Sequence, residues 1–79
     1  MNAYVNKGII YFEQKKYADA LKTLSLATTV SPDEADPYYW IGKTYEAMGK
    51  KEDARNNYQS ALNLDKNMVE AKEGLERVK

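Results

Sequence analysis

The chain has 79 residues, with twelve Lys and Arg balancing twelve Asp and Glu, and it has neither cysteine nor histidine. A net charge of zero creates no global field toward polyanions, so we expect no nucleic-acid partner and no direct membrane contact. Without Cys and His, the usual soft metal ligands and the usual acid-base group near neutral pH are missing. We therefore expect no catalytic residues, no metal and no cofactor, with a carboxylate-pair enzyme as the remaining catalytic alternative.

Apolar residues recur at intervals of three and four through five segments of the chain. This periodicity predicts amphipathic α-helices and no β-strand. Pro32 interrupts the second segment because proline cannot continue a helix, and Gly49 ends the third segment as a C-terminal cap. The predicted helices cover residues 3–14, 17–30, 35–48, 52–64 and 68–78.

One pattern of residues occurs twice, at an interval of 34 positions. An interval of about 20 to 50 residues is typical of a unit that stacks on copies of itself. The small residues Gly8, Ala20, Gly42 and Ala54 predict close helix packing, because packed helix axes lie only about 8 to 10 Å apart. The pattern consists of Tyr4, Gly8, Tyr11, Asp19, Ala20 and Ala27, matched by Tyr38, Gly42, Tyr45, Asp53, Ala54 and Ala61.

The pattern resembles the tetratricopeptide repeat. The resemblance implies an all-α fold, a right-handed α-α superhelix of two antiparallel helical hairpins with a fifth, capping helix. We therefore expect a single domain over residues 1–79, with repeat one at 1–34, repeat two at 35–68 and the capping helix at 68–78. The residues in the family's register are Tyr4, Gly8, Tyr11, Tyr17, Ala20, Leu24, Ala27 and Pro32, then Tyr38, Ile41, Gly42, Tyr45, Ala54, Tyr58 and Ala61.

The two ends of the expected stack differ. By the family's register, the last helix presents Ala71, Leu75 and Val78 and covers Ala61 and Leu64. The equivalent face of the first helix consists of Ala3, Lys7 and Ile10. Because an unpaired ammonium group resists burial, we expect this N-terminal face to lie in water. The tyrosines expected to be buried are Tyr4, Tyr11, Tyr38, Tyr45 and Tyr58.

The first helix carries a second apolar stripe, formed by Val5, Ile9 and Phe12. The resemblance implies that the first helix of each repeat lines a concave groove. The positions that face the groove are Asn2, Val5, Asn6, Ile9, Phe12, Glu13, Asp36, Tyr39, Trp40, Lys43 and Glu46. Our candidate partner-binding residues are Val5, Ile9, Phe12, Tyr39, Trp40, Lys43 and Glu46. The alternative is that Phe12 or Trp40 folds over neighbouring helices and completes the core.

Function is expected to reside in this groove. Some family members bind acidic C-terminal peptides through lysines and asparagines. The matching positions here are Val5, Ile9, Trp40, Glu70 and Gly74, which implies an apolar or amphipathic ligand instead. We predict an interaction scaffold that binds a peptide or a partner protein. The alternative is a homo-oligomer that buries the Val5, Ile9 and Phe12 stripe.

Asp33, Glu34 and Asp36 are interpreted as charges that favour the start of the third helix, since their spacing lacks the features of a calcium loop. No run of 18 apolar residues occurs, and the start of the chain lacks the pattern of a signal peptide, so we expect neither a membrane span nor a leader. The cellular compartment, and whether the chain is complete or an excised domain, are left open by the sequence.

Overall fold

The computed structural model describes residues 2–79, and within that range it contains five α-helices and no strand. Each predicted helix is present, and each of its ends lies within one residue of the prediction. The predicted all-α fold is therefore confirmed. The helices are α1 (Ala3–Glu13), α2 (Tyr17–Val30), α3 (Ala35–Ala47), α4 (Lys51–Leu64) and α5 (Val69–Arg77).

The helices form two layers. In the inner layer α1 contacts α3 and α3 contacts α5, whereas α2 and α4, in the outer layer, make no contact with each other within residues 2–79. Helices on the inside of a curved stack lie closer together than those on the outside. The surface formed by α1, α3 and α5 is therefore the concave one.

Small residues set the distance between the paired helices. A Cβ atom added at Gly8 would lie 2.5 Å from Leu24 Cγ, and one added at Gly42 would lie 2.9 Å from the Tyr58 ring. Ala20 and Ala54 have no exposed surface. The predicted packing role of these small residues is confirmed, because any larger side chain would overlap the facing helix.

The two inner-layer helices that begin the repeats end in the same way. Lys15 and Gly49, which are 34 positions apart, both have positive φ, at 63° and 78°. After each of them an amide returns to the helix, with Lys16 N donating to Tyr11 O and Lys50 N to Tyr45 O, both at 2.9 Å. The predicted cap at Gly49 is confirmed. Lys15 adopts the same positive-φ conformation that glycine provides at position 49.

Asn2 has a structural role rather than the predicted place in the groove. Its side-chain oxygen accepts a hydrogen bond from Val5 N at 3.2 Å and caps α1. Its amide nitrogen donates to Ala27 O at 3.3 Å and to the Glu34 carboxylate at 3.0 Å. The side chain of Glu34 makes no capping hydrogen bond to α3. Of the acidic residues predicted to favour the start of α3, Asp36 lies in its first turn, where a negative charge is favourable.

The C-terminal helix covers the second repeat as predicted. Ala71 and Val78 are buried in one cluster with Ala61, whereas Leu64 remains 44% exposed and is not covered. At the other end Ala3 and Lys7 are exposed and Ile10 is 53% exposed, which confirms that this face lies in water. None of the helices within residues 2–79 combines the length and the apolar character that crossing a membrane requires.

The prediction of five buried tyrosines was wrong in extent. Tyr58 has no exposed surface, but Tyr4 is 40% exposed, and Tyr11, Tyr38 and Tyr45 are only partly buried. Tyr58 differs because α5 lies over it.

Candidate binding groove

Three aromatic rings form a continuous row across the inner layer. Phe12 from α1 contacts Trp40 from α3 at a ring-centroid distance of 5.6 Å, and Trp40 contacts Tyr39 at 5.3 Å. Both pairs are close to edge-to-face, with interplanar angles of 68° and 74°, which is a favoured arrangement for aromatic rings. All three residues are half-buried, so each keeps part of its surface accessible.

The buried sides of this aromatic row rest on the core. Phe12 and Trp40 pack against a cluster of Ala20, Leu24 and Ile41. The expectation that one of them completes the core is therefore correct for their inner sides. Packing against the core restricts the motion of these rings, and their partial exposure leaves them accessible. A ligand that contacts them would therefore cost less side-chain entropy.

Lys43 lies over the aromatic row. Its Nζ is 5.4 Å from the centroid of Trp40, 5.7 Å from that of Phe12 and 6.0 Å from that of Tyr39. These distances are within the range of cation–π attraction. Lys43 makes no salt bridge within the described part of the chain, so the rings are its principal neighbours.

Glu46 connects three helices. The Tyr58 hydroxyl of α4 donates to Glu46 Oε1 at 2.6 Å, and Arg77 of α5 donates to both carboxylate oxygens, at 2.9 and 3.2 Å. The hydrogen bond from Arg77, with a smaller contribution from Tyr58, lowers the pKa of Glu46 although partial burial opposes the shift. Burial, and then the bond to Glu46, raise the pKa of the Tyr58 phenol. The carboxylate is thus held ionised and the phenol neutral.

The Tyr58 ring is enclosed by two glycines. A Cβ added at Gly74 of α5 would lie 2.5 Å from Tyr58 Cζ, and one added at Gly42 of α3 would lie 2.9 Å from Tyr58 Cδ1. The sequence analysis placed Gly74 at a clamp position of the groove but did not recognise its packing role, and it did not identify Arg77. The available signal was a glycine within a predicted helix, which costs about 1 kcal/mol relative to alanine and calls for a packing reason.

One stripe of α5 faces the boundary between α3 and α4. Gly74 contacts Tyr58 and Arg77 pairs with Glu46, and helical spacing places Glu70 and Glu73 on the same stripe, one turn earlier. Partial burial raises the pKa of Tyr39, and the charges of Glu70, Glu46 and Glu73 raise it further, while Arg77 lowers it. Three carboxylates and one guanidinium, from α3 and α5, therefore act on the Tyr39 hydroxyl.

Most of the predicted groove residues come together, with one correction. Phe12, Tyr39, Trp40 and Lys43 form a single surface, and Glu46 borders it in the network with Arg77. Ile9 is half-buried on α1. Val5, predicted to line the groove, has no exposed surface and belongs to the core. It cannot contact a ligand, and the dimer stripe expected from the sequence loses its first member.

Family comparisons agree with this geometry. A model described as "TPR repeat" matches residues 8–49, and a model described as "Tetratricopeptide repeat" matches residues 35–68. The chain belongs to the tetratricopeptide repeat family. The predicted family and its two repeats are thereby confirmed.

Curated relatives and a solved structure are similar to nearly the whole chain. The chain is 33% identical to heat shock protein STI1 of Saccharomyces cerevisiae over 95% of its own length, and 32% identical to RNA polymerase II-associated protein 3 of Xenopus laevis over 92%. It spans only 13% and 11% of those proteins. The first TPR of Spaghetti (RPAP3), solved with the HSP90 peptide SRMEEVD, superposes with a TM-score of 0.89 at 29% identity, covering 95% of this chain and 60% of that one.

Proposed function

We propose that this chain is a non-enzymatic interaction module that binds a segment of a partner protein in the groove lined by α1, α3 and α5. The observation that carries the proposal is the row of Phe12, Trp40 and Tyr39, which pack against the core and remain partly exposed. Rigid, partly exposed aromatic residues are the side chains that most often anchor a protein partner.

The similarity to the RPAP3 repeat domain supports a peptide as the ligand. That domain is similar to nearly all of this chain and was solved with a bound peptide, SRMEEVD, which carries three carboxylate side chains. Here the groove offers an aromatic row, while Arg77 is paired with Glu46 and Lys43 lies over the rings. The mode of recognition that fits this surface is insertion of apolar side chains from an extended or helical segment.

A random 12-residue peptide library displayed on phage tests the proposal with ligands of every composition. Selected peptides should bind the wild type, and Trp40→Ala and Tyr39→Ala should each weaken binding about tenfold to a hundredfold, as expected for anchors of an interface. Leu26→Ala is the matched control, because Leu26 is a 46% exposed apolar residue on the outer helix α2.

Trp40 also provides the readout, because it is the single tryptophan of the chain. Its fluorescence should change on peptide binding in the wild type, in Tyr39→Ala at higher peptide concentration, and in Leu26→Ala at the wild-type concentration. Circular dichroism checks that each variant keeps its helices. Equal affinity of the Tyr39 and Trp40 variants and the wild type would show that the ligand lies elsewhere.

Self-association remains the alternative that a single measurement decides. Sedimentation equilibrium over a range of protein concentrations should give the mass of one chain, since Val5 is buried and only Ile9 and Phe12 of the stripe are partly accessible. A concentration-dependent increase in mass that is abolished by Phe12→Ala would favour the dimer over the peptide groove.

A further inference from the structure

The charges along the groove are unevenly distributed. Toward α1 the surface is aromatic and carries Lys43, whereas toward α5 it carries Glu70 and Glu73, both exposed. No cation within residues 2–79 forms a salt bridge with either glutamate. Each of these carboxylates is therefore available to a ligand without first breaking an ion pair.

The nearest cation of α5 is already engaged. Arg77 donates to both oxygens of Glu46, an arrangement in which the guanidinium and the carboxylate satisfy each other. At the α5 end of the groove, a ligand carboxylate would have to compete with Glu46 for Arg77 and would approach Glu70 and Glu73, which repel it. A ligand cation meets the opposite situation, because it gains two carboxylates and the adjacent ring of Tyr39.

We propose that the groove selects a segment in which a lysine or arginine stands close to an apolar or aromatic side chain. The cation lies at Glu70 and Glu73 beside the Tyr39 ring, and the apolar side chain lies on the Phe12 and Trp40 rings. This inference rests on the proposed function of the groove and specifies the chemistry of its ligand. The geometry that supports it is the position of α5 against α3, fixed by the bond from Arg77 to Glu46. Glu73 and Glu70 lie one and two turns before Arg77 on the same stripe of α5, and Tyr39 lies two turns before Glu46 on α3.

The test uses the same random 12-residue displayed library and counts the residue composition of the selected peptides. The wild type should raise the ratio of Lys and Arg to Asp and Glu by about threefold or more over the unselected library. Glu70→Gln with Glu73→Gln should return the ratio close to that of the library. Individual peptides should then bind this double variant about threefold to tenfold more weakly, as expected for two exposed ion pairs.

A matched control makes the same change of charge on the other layer. Glu52→Gln with Asp53→Asn removes two exposed carboxylates from α4 and should keep the wild-type preference. Charge reversal, Glu70→Lys with Glu73→Lys, should invert the preference toward Asp and Glu. Raising the salt concentration to about 0.5 M should reduce the preference of the wild type, because exposed charges are screened.

The outcomes separate the two proposals. Selection of acidic peptides by the wild type, or a basic preference that survives the loss of both glutamates, would overturn the charge inference and leave the groove intact. Failure of the wild type to enrich any peptide relative to Trp40→Ala would overturn the groove itself, and the inference with it.

Discussion

The two junctions of the helical stack are filled in opposite ways. Where α3 packs on the first repeat, the outer helix contributes the moderate-sized Leu24 and the inner helix the large Trp40. Where α5 packs on the second repeat, the outer helix contributes the large Tyr58 and the inner helix contributes Gly74, which stands 34 positions after Trp40. Both junctions are filled, because protein interiors are packed to nearly constant density. The large side chain comes from the inner helix at the first junction and from the outer helix at the second.

This difference has a functional consequence. A large residue on the inner helix leaves part of its ring in the groove, as Trp40 does, whereas a large residue on the outer helix is hidden, as Tyr58 is. The buried Tyr58 then needs a hydrogen-bond partner for its hydroxyl, and the partly buried Glu46 supplies it. The first junction therefore leaves exposed the aromatic surface that we propose as the binding groove, and the second provides the network between α5, Glu46 and Tyr58.

The largest expected effect breaks the fit at the second junction. Gly74→Ala should destabilise the protein by about 1 to 3 kcal/mol, because the new methyl group would lie 2.5 Å from Tyr58 Cζ and force the ring to move. Urea unfolding followed by circular dichroism measures the loss. This destabilisation is a considerable part of the total free energy of unfolding, which is about 4 to 12 kcal/mol for a chain of this length.

The control for this prediction is a double-mutant cycle with Tyr58→Leu, which gives the second junction the residue of the first. In that background Gly74→Ala should cost little or nothing, because the shorter side chain leaves room for the methyl group. Equal costs in the two backgrounds would mean that the ring of Tyr58 does not determine the need for glycine at position 74.

A smaller effect concerns the polar network of the second junction. Glu46→Gln should cost about 1 kcal/mol at neutral pH, since Arg77 is 49% exposed and water screens its charge while Tyr58 retains an acceptor. The folded-state pKa of Glu46 is lowered, so its contribution is present above the ordinary value of 4.5 and is lost as the pH falls through the lowered pKa. Urea unfolding at a series of pH values measures the difference from the wild type.

The matched variant for the network is Glu76→Gln, which removes an exposed carboxylate of α5 that pairs only with Lys79 within the described residues. Its stability should differ little from that of the wild type at any pH. A gap between the wild type and Glu46→Gln that stays constant from pH 7 to well below 4.5 would contradict the role assigned to the ionised Glu46.

The smallest effect compares the turns of the two repeats. Lys15→Gly should stabilise the protein by about 0.5 kcal/mol, because glycine relieves the positive φ of 63° but gains freedom in the unfolded chain. Gly49→Ala at the equivalent position should cost about 1 kcal/mol, because its positive φ of 78° is unfavourable for a residue with a Cβ atom, and no neighbour lies within 4 Å to offset the cost by new contacts. Thermal unfolding of the two variants measures both shifts. Shifts of the same sign would show that the two turns are not equivalent.

Several features could be predicted because they depend on local pattern. The ends of the helices follow from residues such as Pro32 and Gly49, and the close packing at Gly8 and Gly42 follows from their equivalent positions in the repeat. The positive φ of Lys15 could also have been predicted, because Lys15 precedes Gly49 by the repeat interval of 34 residues. It was missed since lysine itself gives no signal for that conformation.

The groove was predicted only in part, because exposure depends on neighbouring helices. Val5 and Tyr39 occupy equivalent positions, yet Val5 is buried and Tyr39 is half-exposed. The spacing along one helix gives the direction of a side chain, but it does not give the depth to which the next helix covers it. The same limit explains why Tyr4 was expected in the core and lies 40% exposed.

By itself, the sequence determined the family, the helices and their order, because periodicity, helix-breaking residues and small residues act over a few turns of one chain segment. Only the tertiary structure decided which side chains remain accessible and which charges are neutralised. Arg77 is paired while Glu70 and Glu73 are not, and that distinction arises from the position of α5 against α3. The chemistry of the groove depends on contacts between residues that lie about thirty positions apart, and no local pattern specifies those contacts.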